Sequence, residues 1–444
     1  MKDLSVGKES SIILRFALPM LIGNVFQQLY TLINSIIVGN FVGKEALAAV
    51  GASFPLIFTL ISLVMGIAIG ATIIIAQYFG AKDMKNVVRA IDTLMVFTII
   101  SSIGVTIIGI ILSKPIFKLT DLPDDVLPLA VTYFNIYMIG IVFAFGLNSI
   151  AAILRGMGDS KTPLYFLVIS TILNIGLDFL FVLGFGWGVA GAAWATVISQ
   201  AVALAFAVVY LNNKHEIFKL TWRKPEFDRS IMTKSLKIGF PVGFQQAFVA
   251  LSMLAMYWLV NRFGTNVTAA FSVAFRIDSF ASMPAMNFAM ALSAFVGQNL
   301  GANKPERVKK GLISTFYMTS VIAVTISLIG IFFAGPVMRL FTNDAEVIAI
   351  GKDYLQIVTG FYILFSSMFV VGGVMRGAGD TFIPMLITFF ALWVVRIPVG
   401  YYLSEHMGYH GIWWCIPIAW AVGLALSFGY YLTGRWRKKV VVSR

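Results

Sequence analysis

Apolar stretches of roughly 20 residues or more recur from one end of the chain to the other, each long enough to cross a hydrocarbon core of about 30 Å as a helix. Twelve such spans are predicted, over residues 11–38, 46–78, 90–113, 128–153, 163–184, 188–211, 235–261, 268–299, 311–334, 349–374, 383–403 and 411–433. Composition agrees with the pattern: 59% of the 444 residues are hydrophobic, 12% are charged, and the mean hydropathy is +0.88. No soluble globular domain carries that balance, so the expectation is an all-α polytopic membrane protein. The polar start MKDLSVGKESS runs into the first span without a small-residue cleavage site, and no removable signal peptide is expected.

A net charge of +13 raises the question of a nucleic-acid partner, which the placement of the basic residues answers. Of the 33 Lys and Arg, only Lys44, Lys114, Lys118, Arg262, Arg339 and Lys352 fall on the side opposite the termini, while Arg276 and Arg396 lie within spans. By the positive-inside rule both termini are expected in the cytoplasm, in a multi-pass protein of the cytoplasmic (inner) membrane. The tail RWRKK and the basic loop from Asn212 to Lys237 then face anionic headgroups, and no nucleic acid is expected to bind. The lone Cys415 rules out an intrachain disulfide and a cysteine metal cluster.

The two halves align at a nearly constant offset of roughly 221 residues. AQYFGAKDMKNVVRA (76–90) faces GQNLGANKPERVKKG (297–311), KPIFKLTD (114–121) faces GPVMRLFT (335–342), and LRGMGDSKTP (154–163) faces MRGAGDTFIP (375–384). Six spans per repeat is an even number, so both halves enter the membrane in the same direction. The resulting architecture has two six-helix lobes related by a pseudo-two-fold along the membrane normal, with a binding cavity between them. Residues 1–212 form the N-lobe, 213–234 a cytoplasmic linker, and 235–444 the C-lobe with its basic tail.

Three sequence patterns fail on context. GWGVAG (186–191) satisfies GxGxxG, but it follows a membrane helix instead of a strand and leads into AAWAT, a run of small residues suited to close helix packing. His406 and His410 have the spacing of a metal pair, yet no carboxylate or third histidine accompanies them. No GxxxxGK[ST] loop is present, so an ion gradient, not ATP, must drive uphill transport; neither enzymatic activity nor a cofactor is expected.

Polar residues at membrane depth carry the chemistry. Asp178 and Asp278 are the acidic residues placed well inside spans. A charged aspartate near mid-helix costs about 2.5 to 3.5 kcal/mol, so such groups face a cavity or a partner and mark ion pathways. Asn174 precedes Asp178 by one turn on the same face, where its amide can join the carboxylate around a small cation or stabilise a protonated carboxyl. For Asp278 the matching cation is Arg396, either as an ion pair or as part of the transport path. Gln27, Gln28, Tyr30 and Asn34 in the first span and Gln245 and Gln246 in the seventh are uncharged polar groups at matching depths of the two repeats.

INSIIVGNFVGKEALAAVGA (33–52), AQYFGA, LRGMGD, LNIGLDFLFVLGFGWGVAGAAWATVISQ (173–200), GQNLGA and MRGAGD together resemble the multidrug and toxic compound extrusion (MATE) family, over both repeats. The resemblance implies a coupling site on Asn174, Asp178, Thr196 and Asn34, with Tyr30 beside it. Asn34 is an amide where many members carry a carboxylate, and Val249 stands where some carry an acid.

The expected function is a secondary antiporter that exports amphipathic cations in exchange for protons or sodium by alternating access. Asp178, Asn174 and Thr196 are its candidate Na⁺ ligands, and Tyr30, Gln27, Gln246, Asp278 and Arg396 its candidate substrate contacts. Small-molecule cations and the bilayer are the expected partners of a monomer. The alternatives are a lipid-linked precursor flippase of the wider superfamily, which would need a more basic cavity, and a receptor without transport.

Overall fold

The computed structural model describes residues 2–119, 122–214 and 226–442, and among them every regular element is helical. The first repeat supplies α1 (Glu9–Phe41), α2 (Lys44–Gly80), α3 (Met84–Leu119), α4 (Leu127–Gly156), α5 (Lys161–Asp178) and α6 (Gly188–Lys214). The second supplies α7 (Arg229–Asn261), α8 (Thr265–Gly301), α9 (Pro305–Phe332), a short α10 (Ala334–Arg339), α11 (Ala345–Thr359), α12 (Tyr362–Gly377), α13 (Phe382–Phe389), α14 (Ile397–Met407) and α15 (Tyr409–Leu432). Two π-helical segments interrupt this order: Phe179–Gly184 continues α5, and Phe390–Arg396 joins α13 to α14.

Eleven spans among the described residues are long and apolar enough to cross a membrane, and the bent pair α11 and α12 brings the number to twelve. That pair covers the span expected over 349–374 and is broken in two. The two helices meet at Gly360 with a 48° bend. There the Thr359 carbonyl accepts from Ser327 Oγ on α9, and Gln356 Nε2 donates to Ile331 O at 2.9 Å, so groups leaving one helical ladder are satisfied by a neighbour.

The chain separates into two compact units, one of Met1–Lys2 and Ile22–Gly243, the other of Asp3–Leu21 and Phe244–Arg444. The division falls inside α1 and α7, so each unit includes the leading part of a helix whose remainder belongs to the other.

In the first unit α4 packs against α2, α3 and α6, and α5 closes on α6. Its core gathers Ile37, Val38, Phe117, Phe134 and Phe145, with Phe117 and Phe134 edge to face at 5.7 Å. The leading part of α7 crosses α2 at glycines. A Cβ on Gly66 would lie 2.6 Å from the Gly239 carbonyl oxygen, so only hydrogen allows the two backbones to approach this closely.

In the second unit α12 packs on α8, α9 and α15. Phe271, Tyr354 and Trp413 form the centre of one core, and Leu4, Ile13 and Phe16 pack with Phe295 and Trp436 in another. Polar contacts fix the chain's beginning here: Leu4 N donates to Gln298 Oε1 at 2.8 Å, and Arg307 pairs with Glu9 at 3.0 Å.

The internal repeat extends to backbone detail. Ala81, Lys82 and Asp83 donate to the carbonyls of Gln77, Phe79 and Tyr78, while Ala302, Asn303 and Lys304 donate to those of Gln298, Leu300 and Asn299. Lys82 and Asn303 share a left-handed backbone, with φ of 60° and 58°.

Of the linker expected over 213–234, residues 215–225 lie outside the described residues. Its far end is tied to α3, with Glu226 N donating to Asp92 Oδ2 and Asp228 N to Thr93 Oγ1, each at 3.0 Å.

Candidate functional site

In the first unit the small residues at the start of α6 let it lie close on α5. Gly191, Ala192, Ala193 and Ala195 are all buried, and Thr196 follows them onto the face opposite Asn174 and Asp178. Asp178 is 1% exposed, Asn174 2% and Thr196 3%, which places a carboxyl group out of reach of bulk water. The π-helical turn begins at the next residue, Phe179, and ends near a stack of Phe181 on Trp187 at 5.0 Å. Gly186 and Gly188 take positive φ in the turn that follows, so GWGVAG serves as the α5–α6 connection.

The carboxyl group is met by amides. Asn34 Nδ2 on α1 donates to Asp178 Oδ2 at 3.3 Å. The Asn174 amide is assigned from its neighbours: turned with its nitrogen to the carboxyl it donates to Asp178 Oδ2 at 2.9 Å and its oxygen accepts from Thr196 N at 3.0 Å and Thr196 Oγ1 at 3.3 Å, whereas the opposite turn sets its oxygen against the carboxyl and its nitrogen 3.3 Å from Thr196 Oγ1. Tyr30 Oη lies 3.1 Å from Thr196 Oγ1. Asp178 Oδ1, by contrast, is buried without a hydrogen-bond partner. Five residues singled out in the sequence, Tyr30, Asn34, Asn174, Asp178 and Thr196, thus form one cluster from three helices.

Sequence reasoning missed part of its wall. Tyr133 and Tyr137 stand one turn apart on α4, their rings 6.4 Å apart, and both lie near Tyr30. Gln200 on α6 hydrogen-bonds Tyr137. The signal available was a Tyr pair at i, i+4 in an apolar span, which packing alone also produces.

The second unit holds a different polar group. Tyr362 Oη on α12 donates to Asp278 Oδ1 on α8. The Asp278–Arg396 ion pair does not form within 4.0 Å; Tyr362 takes its place at the carboxyl. Arg396 ends the π-helical segment, is 8% exposed, and its Nε has no partner. Tyr362 gave no sequence signal, because an isolated tyrosine in an apolar span is unremarkable.

Gln27 and Gln246 have exposed side chains and join neither cluster, whereas Gln245 Nε2 donates to Thr388 Oγ1 at 2.7 Å. His410 Nε2 lies 3.1 Å from Asp353 Oδ2, and His406 Nδ1 lies 2.9 Å from the Tyr402 carbonyl oxygen. Among the described residues no three His, Cys, Asp or Glu side chains group as metal ligands.

Comparison with known proteins gives consistent matches along the chain. The MatE family profile matches twice, over residues 19–180 and 241–402. The chain is 34% identical to the probable multidrug resistance protein YoeA of Bacillus subtilis over 435 residues, covering 96% of this chain and 94% of that protein. It is 27% identical to the probable multidrug resistance protein NorM of Thermotoga maritima, covering 97% and 94%. Among solved structures, a multidrug resistance MATE family transporter of the MOP superfamily in an outward-facing conformation superposes with a TM-score of 0.91, at 26% identity and 99% coverage of both chains.

Proposed function

The chain belongs to the MatE family of multi-span membrane transporters and is not an enzyme, and from that premise we propose that it exports amphipathic cationic compounds in exchange for protons carried by Asp178. The observation that carries the reading is the asymmetry of that carboxyl group. Oδ2 accepts from two amides, while the buried Oδ1 has no partner and is the atom on which a proton would ride.

The same arrangement favours a proton over sodium. Sodium is a hard cation that takes oxygen ligands, but both Asn34 and Asn174 turn nitrogen toward the carboxyl. Turning Asn174 to offer its oxygen to the carboxyl would set its nitrogen against the Thr196 N–H, donor against donor, where the opposite turn gives an acceptor. Asp178, Asn174 and Thr196 therefore fit a sodium ion less well than a proton.

In the exchange, Asp178 takes up a proton at Oδ1 from the outer side and releases it to cytoplasmic water, and the freed negative charge attracts the cationic substrate. Tyr30, Tyr133 and Tyr137 supply aromatic faces for it. Gln27, Gln246, Asp278 and Arg396 are assigned further substrate contacts, and both termini are assigned to the cytoplasm.

Reconstitution into vesicles tests this. Ethidium movement is followed under an imposed proton gradient, then under a sodium gradient, for the wild type and Asp178→Asn. The proton gradient should drive the wild type and not the variant; a sodium-driven wild type, or an Asp178→Asn variant that still couples, contradicts the reading.

A further inference from the structure

The end of the second unit where α9 begins and α15 finishes is built around one core by three segments distant in sequence. Leu4 from the chain's beginning, Val308 from the first turn of α9 and Trp436 from the tail are each 1% exposed and pack in the same cluster as Phe295. Trp436 is held on two sides: its ring stacks on Tyr431 at 5.4 Å, and its Nε1 donates to the Tyr431 carbonyl oxygen at 3.0 Å. The run RWRKK is thereby an ordered 3₁₀ turn, Arg435–Lys439, anchored through its indole.

While these apolar side chains turn inward, the cations beside them turn out. Arg435, Arg437, Lys438 and Lys439 flank Trp436 and are exposed. So are Lys309 and Lys310, which follow Val308, and Lys8, which lies between Leu4 and the start of α1. Among the described residues none of these seven has a carboxylate within 4.0 Å; the ion pair at this end joins Arg307 to Glu9. The corresponding end of the first unit is mixed in sign. There Asp83, Asp92, Asp159, Glu226 and Asp228 lie among the cations, and Arg89 pairs with Glu226 at 3.3 Å. In the second unit the exposed cations also border lipid-facing surface. Ile313, one turn beyond Lys309 on the same face of α9, is 45% exposed, and Leu432, which ends α15 just before the tail, is 68% exposed. The positive charge therefore stands where apolar surface gives way to headgroups.

We propose that this end of the second unit is a docking surface for anionic phospholipids. Orientation in the membrane asks only that basic residues lie on one side; it does not ask that three segments gather them around a single core on one unit. Phosphate oxygens of the headgroups accept from the exposed Lys and Arg, and each cation near such a surface strengthens the attraction about fivefold. The buried indole fixes the turn, so its cations lose less freedom on binding than those of a flexible tail would. Resting on the orientation assigned above, the surface meets the cytoplasmic leaflet; the class of lipid does not depend on that assignment.

Native mass spectrometry of the purified full chain in detergent tests this, with dioleoylphosphatidylglycerol and dioleoylphosphatidylcholine titrated in parallel. Wild type should retain phosphatidylglycerol in preference to phosphatidylcholine. A variant carrying Arg437→Gln, Lys438→Gln and Lys439→Gln should bind phosphatidylglycerol about tenfold or more weakly. A control with the same change in net charge on the first unit, Lys85→Gln, Lys161→Gln and Lys237→Gln, should keep most of the wild-type affinity. No preference in wild type, no loss in the tail variant, or equal loss in both variants overturns the proposal. Wild type alone decides the matter if the tail variant cannot be recovered folded: raising salt from about 50 to about 500 mM should release phosphatidylglycerol, and a complex that persists contradicts it. Because nothing is transported in this measurement, its failure leaves the proton-exchange reading standing.

Discussion

At the scale of single residues, the legible feature is cost. Asp178 stood out because a carboxylate in an apolar span is expensive, and Asn174 because one helical turn puts it on the same face. Tyr30 and Asn34 stood out as polar groups of the first span, Thr196 came from the resemblance alone, and the structure joins all five. What stayed hidden are Tyr133, Tyr137 and Tyr362, since aromatic residues make up 14% of the chain and most of them pack helices or face lipid. The direction of the amides was likewise out of reach, because a sequence names an asparagine without saying which end meets the carboxyl. That direction yields a prediction. Asn174→Ala removes the shorter of the two bonds to Asp178 Oδ2, and with a charged acceptor such a bond is worth about 1.5–3 kcal/mol. Proton-driven ethidium transport should fall about tenfold or more; transport at the wild-type rate would mean that the amide does not hold the carboxyl.

At the scale of elements, span positions followed from hydropathy, but their irregularities did not. The break between α11 and α12 contains no proline and is held by Ser327 and Gln356, whose partners come from another part of the chain. The π-helical segments have no composition of their own and depend on how α6 and α15 pack beside them. The glycine crossing was equally hidden, since Gly66 and Gly239 are distant in sequence and unremarkable in apolar helices. Gly66→Ala forces a methyl group into the Gly239 backbone and should destabilise the protein by roughly 1–3 kcal/mol. Gly51→Ala, in the same helix with nothing within 4 Å of the added carbon, should be neutral or stabilising, by up to about 1 kcal/mol. Thermal unfolding in detergent checks the pair, and equal effects would show that the close crossing is not what Gly66 serves.

At the scale of the whole molecule, the duplication was the most legible property, because matching motifs recur at one offset and the same backbone bonds recur with them. The division of contacts was not: the lobes expected from hydropathy begin and end between helices, whereas the compact units divide within α1 and α7. Hydropathy locates a span without saying which neighbours its two ends choose. Orientation can be tested with the single cysteine exchanged. In a Cys415→Ser background, Lys44→Cys should react with an impermeant maleimide from outside intact cells and Lys82→Cys should not; the reverse pattern would invert the assigned topology. The central claim is that Asp178 carries the proton exchanged for substrate, and substrate-induced proton release tests it most directly. When ethidium is added to purified wild type in weakly buffered detergent solution, about one proton should appear per bound ethidium at a pH where Asp178 is protonated, and none in Asp178→Asn. Equal release from both proteins, or ethidium binding to wild type with no release at any pH, would contradict it.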